Sequence, residues 1–565
     1  MRSTIAALAS ALLLSAMLID CGGGNQSSSP VAASPPAVIP PPSVTPTPPS
    51  QPGTADVLTY HNDAARTGQN LNETQLTPGN VNQAHFGKLA VFPTDGKIDA
   101  QPLIVSNFTV NGVVRNVLYA ATEHDTVYAF DADTGTQLWK TSLLQSGESP
   151  SDARNCSQVV PEIGVTATPV IDRGRSVIYV VAMSKNASGT VYYQRLHALS
   201  LTSGAEMLGG PTTVPAALPG QSQSFDPGQY KERAALLIAN GAIYTAWTSH
   251  CDIESYGSWV ITFDPATLKI AQIFNGEPSA AGGEGSFWSS GSGPLADTAG
   301  NVYLLSANGS FGTTLDANGF PQNRDYGNSF IKLAPPLAGS NSLTLLDYFS
   351  MYNSVSESSV DQDLGSGGGL LLPDQTDSNG AVRHLIVGAG KDENVYLLDR
   401  DNLGKFRSAD NSQIWQELVN AFPGTHGVYG APAYFNGRVY YGAVGDVLRA
   451  FSLTNALLST AAVSQTTTQF PYPGATPSIS ANGAQNGIVW AVENSGTQGV
   501  LHAYDATNLA AELYNSGQAG ARDSFGPGSK FNPPTIANGK VYIGTQADLV
   551  SNPGSQEGVV VFGAL

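Results

Sequence analysis

The sequence predicts an all-β fold, an eight-bladed β-propeller built from four-stranded antiparallel blades. The first observation is the composition. The 565 residues include 61 glycines, 36 prolines and only 12% charged residues, which is typical of a chain with many turns and a large core. The second is a phrase, VYAFDADTG at residues 127–135, that returns at intervals of roughly 50 to 70 residues. The third is the order of the short apolar runs within each repeat.

Each repeat predicts the same four strands. An apolar run such as QPLIV comes first, a second run such as NVLYAAT follows, the phrase itself is the third strand, and a DADTG-type turn leads to a fourth run such as LWKTSL. Short runs rich in Val, Ile and Tyr between NG, AG or DG turns are typical of β-hairpins. Four strands repeated at such a period indicate propeller blades, which bury their faces against their neighbours. The eight third strands are centred on Phe130, Leu199, Phe263, Leu333, Leu398, Phe451, Tyr504 and Phe562.

The eighth repeat lacks a fourth strand, since VVVFGAL comes directly before the end of the sequence. A strand without a blade of its own, FGKLAVFPT at residues 86–94, precedes the first repeat. We expect these two segments to pair, because pairing closes the ring and removes two exposed sheet edges. Residues 57–565 are therefore predicted to form one propeller domain.

The first 56 residues predict export. Residues 1–21 have an early cation, Arg2, followed by an apolar run, which is the layout of a secretory signal. Cys21 and the GGGNQSSS that follows resemble a bacterial lipoprotein signal with a lipidated cysteine, although Asp20 stands where a small residue is expected, and ordinary cleavage nearby is the alternative. Residues 22–56, rich in Gly, Ser and Pro, predict a disordered tether. We expect a periplasmic, outer-membrane or cell-surface lipoprotein.

The net charge narrows the classes of partner. A formal charge of −18 and a pI near 4.7 argue against nucleic-acid binding, which needs clustered Lys and Arg. The expected partner is an envelope protein or a small-molecule or glycan ligand, contact with the membrane is expected through the lipid anchor only, and the expected state is a monomer. Besides Cys21, the sequence contains Cys156 and Cys251, which in an exported chain are expected to form one disulfide.

The phrase VYAFDADTGTQLW resembles the pyrroloquinoline quinone (PQQ)-type propeller repeat, and LTPGNVNQAHFGKLAVF is similar to the N-terminal segment of quinoprotein dehydrogenases and related propellers. The repeats are divergent, because the tryptophan of the outer strand recurs only at Trp139 and Trp415. The resemblance implies the propeller fold. It leaves the activity open, because the superfamily includes both PQQ-dependent dehydrogenases and non-catalytic members such as the outer-membrane assembly lipoprotein BamB.

A PQQ-dependent dehydrogenase has chemical requirements. PQQ is a tricarboxylate, so its site needs cations, an aromatic surface for the ring, a divalent cation with oxygen ligands, and a carboxylate base. Family alcohol dehydrogenases commonly add a disulfide between adjacent cysteines, and a CxxCH haem motif serves onward electron transfer. The sequence contains neither a Cys-Cys pair nor a CxxCH motif.

Candidate site residues follow from the topology of a propeller. One rim is formed by the loops that lead into the first strands and the loops between second and third strands, and ligands usually bind there or in the central channel. Cys156 and Cys251 fall in the same class of loop on nearby blades. The candidate ligand-binding residues on this rim are Glu123, His124, Glu162, His250, Asp252, Glu284, Trp288, Lys391, Asp392, His426 and Lys530.

Several candidates also have a structural interpretation. The trio at residues 123–125 is more often a solvated hairpin loop than a metal or acid–base site. Glu162 and Glu284 are candidate cation ligands or a carboxylate pair. We expect Lys391 to pair with the acids beside it rather than to clamp a cofactor. Trp288 is expected either to stack on a flat ligand or a sugar or to act as a wedge between blades.

Three further groups are expected to be structural. The two histidines of the third strands occupy a strand face, aspartates before the turn after the third strand accept backbone hydrogen bonds, and a histidine and an arginine near residue 60 anchor the lead-in segment to the ring. These residues are His197 and His502; Asp131, Asp264, Asp399 and Asp505; and His61 and Arg66.

The leading functional hypothesis from the sequence is a binding or assembly scaffold in the cell envelope, because the usual family chemistry is missing. The alternative is a periplasmic PQQ-dependent dehydrogenase with a degenerate site, in which Glu162 or Glu284 binds Ca²⁺ and Lys391 or Lys530 binds cofactor carboxylates. A polysaccharide-binding propeller is a third hypothesis, from Trp288 and the acidic loops. The sequence assigns no catalytic residue and no metal ligand.

Overall fold

Each repeat of the sequence forms one antiparallel sheet, and eight such sheets form a ring in the described part of the chain. The structure is a computed structural model that describes residues 55–154, 156–253, 256–279, 284–494, 496, 498–546 and 558–565. The prediction of an all-β, eight-bladed propeller is confirmed. The predicted signal, Cys21 and nearly all of the tether lie outside the described residues. No helix among those residues is long and apolar enough to cross a membrane.

The first four blades follow one another along the chain. Blade 1 consists of Leu103–Val110, Val113–Thr122, Thr126–Asp131 and Gln137–Ser142. Blade 2 consists of Val170–Asp172, Val177–Asn186, Tyr192–Ser200 and Thr212–Thr213, with Glu148–Asp152 and Glu162–Ile163 added at one end. Blade 3 consists of Tyr230–Glu232, Leu237–Ala239, Ala242–Ser249, Trp259–Phe263 and Ile270–Asn275. Blade 4 consists of Leu295–Ala296, Val302–Leu305, Ser329–Leu333 and Leu345–Ser350, with Lys405–Phe406 added in parallel.

The last four blades complete the ring. Blade 5 consists of Gly369–Leu371, Leu385–Ala389, Val395–Asp399 and Gln416–Leu418, with a small hairpin of Gln375–Thr376 and Val382–Arg383 beside it. Blade 6 consists of Ala433–Phe435, Arg438–Gly442, Asp446–Thr454, Leu457–Leu458 and Ser464–Phe470. Blade 7 consists of Ser478–Asn482, Gln485–Asn494, Gly499–Asp505 and Asn508–Asn515, with Gln69–Asn70 added in parallel. Blade 8 consists of Thr535–Ala537, Lys540–Gly544, Gly558–Ala564 and Phe86–Pro93.

Helices are short and lie between strands. The described residues include one α-helix, Ser354–Ser358, and the 3-10 helices Ser289–Gly291, Leu364–Ser366 and Ser516–Arg522.

The ring closes where the sequence predicts. Phe86–Pro93 runs antiparallel to Gly558–Ala564 and is the outer strand of blade 8. Phe86 contacts Phe562 across this pair, with 6.3 Å between the ring centroids, and both residues are buried. The N-terminal strand therefore removes the free edge of the last blade.

The hydrophobic core lies between blades. One cluster contains Tyr179 of blade 2 together with Trp247 and Trp259 of blade 3, all with no exposed surface. Another joins Trp490 of blade 7 to Val541 of blade 8. Because each sheet has an apolar face on both sides, a blade is stable only between two others, as expected for propeller repeats.

The lead-in segment, residues 57–70, runs across the centre of the ring and bonds to every blade. Backbone carbonyl groups of this segment accept hydrogen bonds from first strands of blades 2, 4, 5, 6 and 7, and Val57 bonds with blade 1 in both directions. Side chains of the segment bond to blades 3 and 8. The partners in blade order are Ile104, Ile171, Leu236, Ala296, Leu371, Tyr434, Ile479 and Ile536.

Arg66 and Tyr60 fix this segment. The fully buried Arg66 guanidinium donates to the backbone oxygens of Pro294 and Leu236, on two different blades, and to that of Tyr60. Tyr60 packs with small residues of blades 3 and 6 at the centre. Gly68 has φ of +70°, and a Cβ there would lie 2.9 Å from the His61 ring, so glycine is required. We call residues 57–70 the plug, because they fill the centre of the ring and bond to all eight blades.

Candidate functional site

The rim predicted from the topology encloses a cavity of about 460 Å³, which we call the mouth cavity. Its walls come from loops that lead into first strands and from loops between second and third strands. This volume lies within the usual range of small-molecule sites, about 300–1,000 Å³. The lining residues used below are Cys251, Asp252, Tyr256, Glu284, Trp288, Asn308, Asp361, Asp363, Lys391, Tyr429 and Tyr472.

Lys391 pairs with two acids of the loop that leads into blade 5. Its Nζ lies 2.6 Å from Asp363 Oδ2 and 2.9 Å from Asp361 Oδ1. Burial raises the pKa of Asp363, although the charge of Lys391 and its hydrogen bond oppose this rise. Burial alone would lower the pKa of Lys391, but attraction and hydrogen bonding by Asp363, with a further hydrogen bond to Asp361, hold it above its usual value. Lys391 was expected to pair with acids beside it in sequence, and it pairs with these two instead.

Asn308 completes this corner of the cavity. Its backbone N–H donates to Asp363 Oδ1 at 2.9 Å, and its side-chain Nδ2 donates to Asp361 Oδ1 at 2.8 Å. Its Oδ1 atom is buried and accepts no hydrogen bond from any described residue. A buried carbonyl oxygen without a donor is unfavourable, and carboxamide and carboxylate oxygens are the ligands that Ca²⁺ prefers. The corner therefore has the donor chemistry of a divalent cation site.

The formal charge of the cavity lining also favours a bound cation. Asp252, Glu284, Asp361 and Asp363 provide four carboxylates against the one ammonium of Lys391, a formal charge of −3. An anionic ligand would be repelled by this lining on its own. It would bind together with a cation that compensates the charge.

An aromatic wall, formed by Trp288, Tyr429, Tyr472 and Phe531, lies along one side. The half-buried Trp288 contacts Phe531 edge-on at 5.2 Å and Tyr429 at 6.0 Å between ring centroids. Lys391 Nζ lies 5.8 Å from the Tyr429 ring centroid, and Lys530 Nζ lies 5.1 Å from that of Tyr472. Aromatic surface with flanking cations suits a flat ligand that carries negative groups.

The two cysteines of the rim are joined. Cys156 and Cys251 form a disulfide with 6.3 Å between their Cα atoms, and Cys251 lines the mouth cavity. His250 lies behind it, fully buried, with Nε2 2.9 Å from the carbonyl oxygen of Ala153. Burial, helped by the charges of Lys231 and Arg154, lowers the pKa of His250 to about 4. This imidazole is therefore neutral at physiological pH.

The structure brings together four of the candidate residues, Asp252, Glu284, Trp288 and Lys391, in the mouth cavity. Lys530 stands beside it, at the edge of the aromatic wall.

The remaining candidates lie elsewhere. His124 Nδ1 is 2.8 Å from Glu162 Oε1, so these two pair with each other between blades 1 and 2. Asp392 accepts hydrogen bonds from Tyr396 and Asn394 within its own hairpin. His426 is exposed and does not line the cavity.

The trio at residues 123–125 differs from its expected form. Glu123 and Asp125 have no exposed surface, so the solvated hairpin loop was a wrong prediction. Gly164 packs against this turn so closely that a Cβ would lie 2.4 Å from the backbone oxygen of Glu123, and Gly164 N–H and Thr166 Oγ1 both donate to Glu123 Oε2. The loop that leads into blade 2 covers the trio, a tertiary contact that a three-residue pattern does not reveal.

Sequence reasoning missed Asn308, Asp361 and Asp363. Asp361 and Asp363 stand in VDQDLGSGGG, directly before a first strand, which is the class of loop that supplies the predicted rim. The position of this loop before a first strand could have identified both aspartates as rim residues. They were missed because the glycines that follow them are typical of a simple connecting loop. Asn308 follows a second strand in the other class of rim loop and carries no charge to attract attention.

Comparison with known proteins agrees with this architecture. Residues 64–206 match the family model described as outer membrane protein assembly factor BamB. No curated protein matches the chain in sequence.

Solved structures with the same fold include two dehydrogenases that cover nearly the whole chain. The quinohemoprotein alcohol dehydrogenase from Comamonas testosteroni is 16% identical with a TM-score of 0.60, and the match covers 91% of this chain and 81% of that one. A europium-containing methanol dehydrogenase is 12% identical with a TM-score of 0.57, covering 91% of this chain and 98% of that one. At these identities the likeness concerns the fold. The chain is thus an eight-bladed β-propeller that shares its fold with these dehydrogenases and is closed by its own N-terminal strand.

Proposed function

We propose that the protein is an exported, lipid-anchored propeller whose mouth cavity binds a small planar ligand together with a divalent cation, and that PQQ with Ca²⁺ is the pair its residues fit. One observation carries this proposal: the Lys391–Asp363 pair lies beside an Asn308 oxygen to which no described residue donates, in a cavity that Trp288 also lines. The signal-like residues 1–21 and Cys21 support export and anchoring.

The residues fit the chemical needs of PQQ. Trp288 would lie against the planar ring, and Lys391 and Lys530 would bind its carboxylates. Asn308 Oδ1 and the carboxylate of Asp363 would hold the cation. The cation is required by the charge of the lining, since four carboxylates face one ammonium.

The chain would provide proton transfer and shielding for an oxidation. PQQ, when bound, supplies a quinone that accepts two electrons. Because the cation would occupy Asp363, the carboxylates of Asp252 and Glu284, which line the same cavity, are the candidates that would accept the proton. Lys391 fixes the orientation of Asp363 through the 2.6 Å contact, and the aromatic wall limits the access of water. The proposed reaction class is oxidation of a small hydroxyl compound.

Thermal unfolding of the full chain tests the proposal. PQQ with Ca²⁺ should stabilise the protein by about 2.7 kcal/mol at 100 times the dissociation constant, with a smaller effect of either alone. Lys391→Met should remove this effect, while Lys269→Met, at an exposed position with the same change of charge, should keep it. A set of glycans is the third arm, for the polysaccharide-binding hypothesis. Unchanged melting with PQQ and Ca²⁺ would reject the proposal.

A scaffold function is the second candidate. Exposed apolar side chains lie beside the mouth cavity on the segment that contains the α-helix, with Tyr352, Val355 and Val360 exposed by 48%, 53% and 65%. Such a patch is typical of a protein contact. A strain without the gene, complemented with Lys391→Met, separates the two functions: a scaffold is restored by this variant, whereas a cofactor-dependent function is not.

A further inference from the structure

A second group of charged side chains lies buried between the plug and the aromatic wall. It consists of Lys97, Asp99, Glu123, Lys231 and Arg233, which we call the axial cluster. The Arg233 guanidinium lies 4.9 Å from the Phe531 ring centroid on one side, and its charge acts on the buried Tyr60 hydroxyl on the other. The mouth cavity lining does not include any residue of this cluster.

All three cations of the cluster are nearly inaccessible. Lys97, Lys231 and Arg233 are 7%, 2% and 4% exposed, and they come from the loop that leads into blade 1 and from the start of blade 3. Lysine and arginine are rarely buried to this extent unless they are paired. Three such side chains in one place therefore need a compensating negative charge.

The hydrogen bonds of the cluster leave donors unused. Asp99 Oδ2 lies 2.8 Å from Lys97 Nζ and 3.8 Å from Arg233 Nη1. Arg233 Nη2 donates to the carbonyl oxygen of Lys530, but Nη1 has no hydrogen-bond acceptor among the described residues. Lys231 forms no ion pair with any described carboxylate, although the charges of Glu123 and Asp99 act on it. One carboxylate thus pairs with two cations, and the third cation of the cluster has no ion pair among the described residues.

Glu123, the second carboxyl group of the cluster, does not neutralise the excess positive charge. Burial and the adjacent Asp99 raise the pKa of Glu123 to about 8, so Glu123 is mostly protonated at pH 7. Asp99 then faces the charged Lys97 and Arg233 and a Lys231 that is partly charged at pH 7, so positive charge is in excess by more than one unit. Buried charge without compensation is strongly unfavourable.

We propose that the axial cluster is a binding site for a small oxyanion of the sulfate, phosphate or carboxylate type, held by Lys231, Arg233 and Lys97. The unbonded Nη1 of Arg233 and the ammonium of Lys231 come from the start of blade 3, and Lys97 reaches the same Asp99 from the loop that leads into blade 1. Phe531 contacts both Arg233 and Trp288, and no residue of the cluster lines the mouth cavity, so we take the anion to be a free solute rather than a carboxylate arm of the ligand in that cavity. The site does not depend on the function proposed for that cavity.

The bound anion is coupled to the protonation of Lys231. Burial, together with the charges of Arg233 and Lys97, lowers the pKa of Lys231 to about 7, while Glu123 and Asp99 oppose this shift and the neighbouring His250 is neutral. An anion favours the charged lysine. Binding at pH 8 should therefore take up protons, and binding at pH 6 should take up almost none.

Calorimetric titration of the full chain with sodium sulfate, in chloride buffers of matched ionic strength, tests the site. Wild type should bind sulfate, and Lys231→Met should weaken binding at least about tenfold and reduce the proton uptake, measured in buffers of different ionisation heat, to the part that Glu123 contributes. Lys97→Met is a second variant in case the first one does not fold, and Lys269→Met is the matched control that should behave as wild type. The mouth cavity variant Lys391→Met should bind sulfate normally even if PQQ binding is lost.

Two results would overturn the inference. One is the absence of binding heat for sulfate and for phosphate in wild type. The other is equal sulfate affinity in wild type and Lys231→Met. If PQQ binds and Lys231→Met weakens it while sulfate does not bind, the cluster receives a carboxylate of the cavity ligand instead of a free anion.

Discussion

The ammonium of Lys391 bridges two carboxylates, one nearly buried at 2.6 Å on Asp363 and one exposed at 2.9 Å on Asp361. Asp363 can keep a negative charge in a place that would otherwise favour its neutral form, because this cation lies against it. The pair joins the loop that leads into blade 5 to the loop between its second and third strands. Stability and ligand binding at the mouth cavity therefore depend on the same contact.

Lys391→Met should destabilise the protein by about 1–3 kcal/mol, less than for a fully buried pair because part of the contact is exposed. The loss should grow as the pH rises from 5 to 8. Without Lys391 the folded-state pKa of Asp363 rises further, and a raised carboxyl pKa gives stability at low pH that is lost as the proton leaves. Urea unfolding at several pH values measures this, and adding Asp363→Asn should restore most of the loss. A pH-independent loss would contradict the explanation.

Glu123→Gln should change the pH dependence of stability. The pKa of Glu123 is raised from 4.5 to about 8 in the folded state, so the folded protein binds one more proton than the unfolded chain between these values. Stability from this group is present below about pH 4.5 and is lost as the pH rises to 8. The variant should be more stable than wild type at pH 8 and show a flatter profile. Parallel profiles in urea unfolding would count against a protonated Glu123.

Phe562→Ala should destabilise the ring closure by about 3–5 kcal/mol, because a fully buried ring is removed from its contacts with Phe86, Tyr514 and Phe525. Leu565→Ala, at a residue that is 57% exposed, is the control and should change stability by less than about 0.5 kcal/mol. Denaturant unfolding followed by tryptophan fluorescence measures both. Equal effects of the two variants would mean that the closure does not limit stability.

Cys251→Ser should lower stability by about 2–5 kcal/mol, because the disulfide joins residues 95 positions apart and restricts the unfolded chain. Reduction of the wild type should lower its melting temperature to that of the variant and leave the variant unchanged. A variant as stable as the oxidised wild type would contradict the prediction.

Cys21→Ser should release the protein from the membrane fraction of the cell, if Cys21 is the lipidated residue. Incorporation of a radioactive fatty acid into wild type, and not into the variant, gives the direct measurement. Asp20→Ala should increase the labelling, because it places a small residue before the cysteine. Labelled Cys21→Ser protein would show that the anchor lies elsewhere.

The architecture could be predicted because it repeats. The apolar runs, the turns and the third-strand phrase occur eight times, so errors at single positions do not matter, and the strand at residues 86–94 has a visible partner. The path of residues 57–70 through the ring could not be predicted in the same way. Arg66 bonds to Pro294 and Leu236, which are far away in sequence and carry no pattern that matches it.

The site was predictable only in part. The class of loop located the rim and therefore Asp252, Glu284, Trp288 and Lys391, but it could not distinguish a residue that lines the cavity from one that turns away, as His426 does. Charge attracts attention in a sequence, so Asn308 was overlooked. Lys97, Lys231 and Arg233 are ordinary cations by sequence, and only their burial around Asp99 makes them notable.

The plug also sets the size of the ring. Residues 57–70 offer one bonding position to each of eight first strands, and a repeat protein normally changes length by gaining or losing a unit. A duplicated blade would find no position left on this segment, and a deleted blade would leave a buried carbonyl or side chain without its partner. The hydrogen-bonding positions of this segment match eight blades and no other number. In this protein the number of repeats is therefore restricted by the central segment as well as by the packing of neighbouring blades.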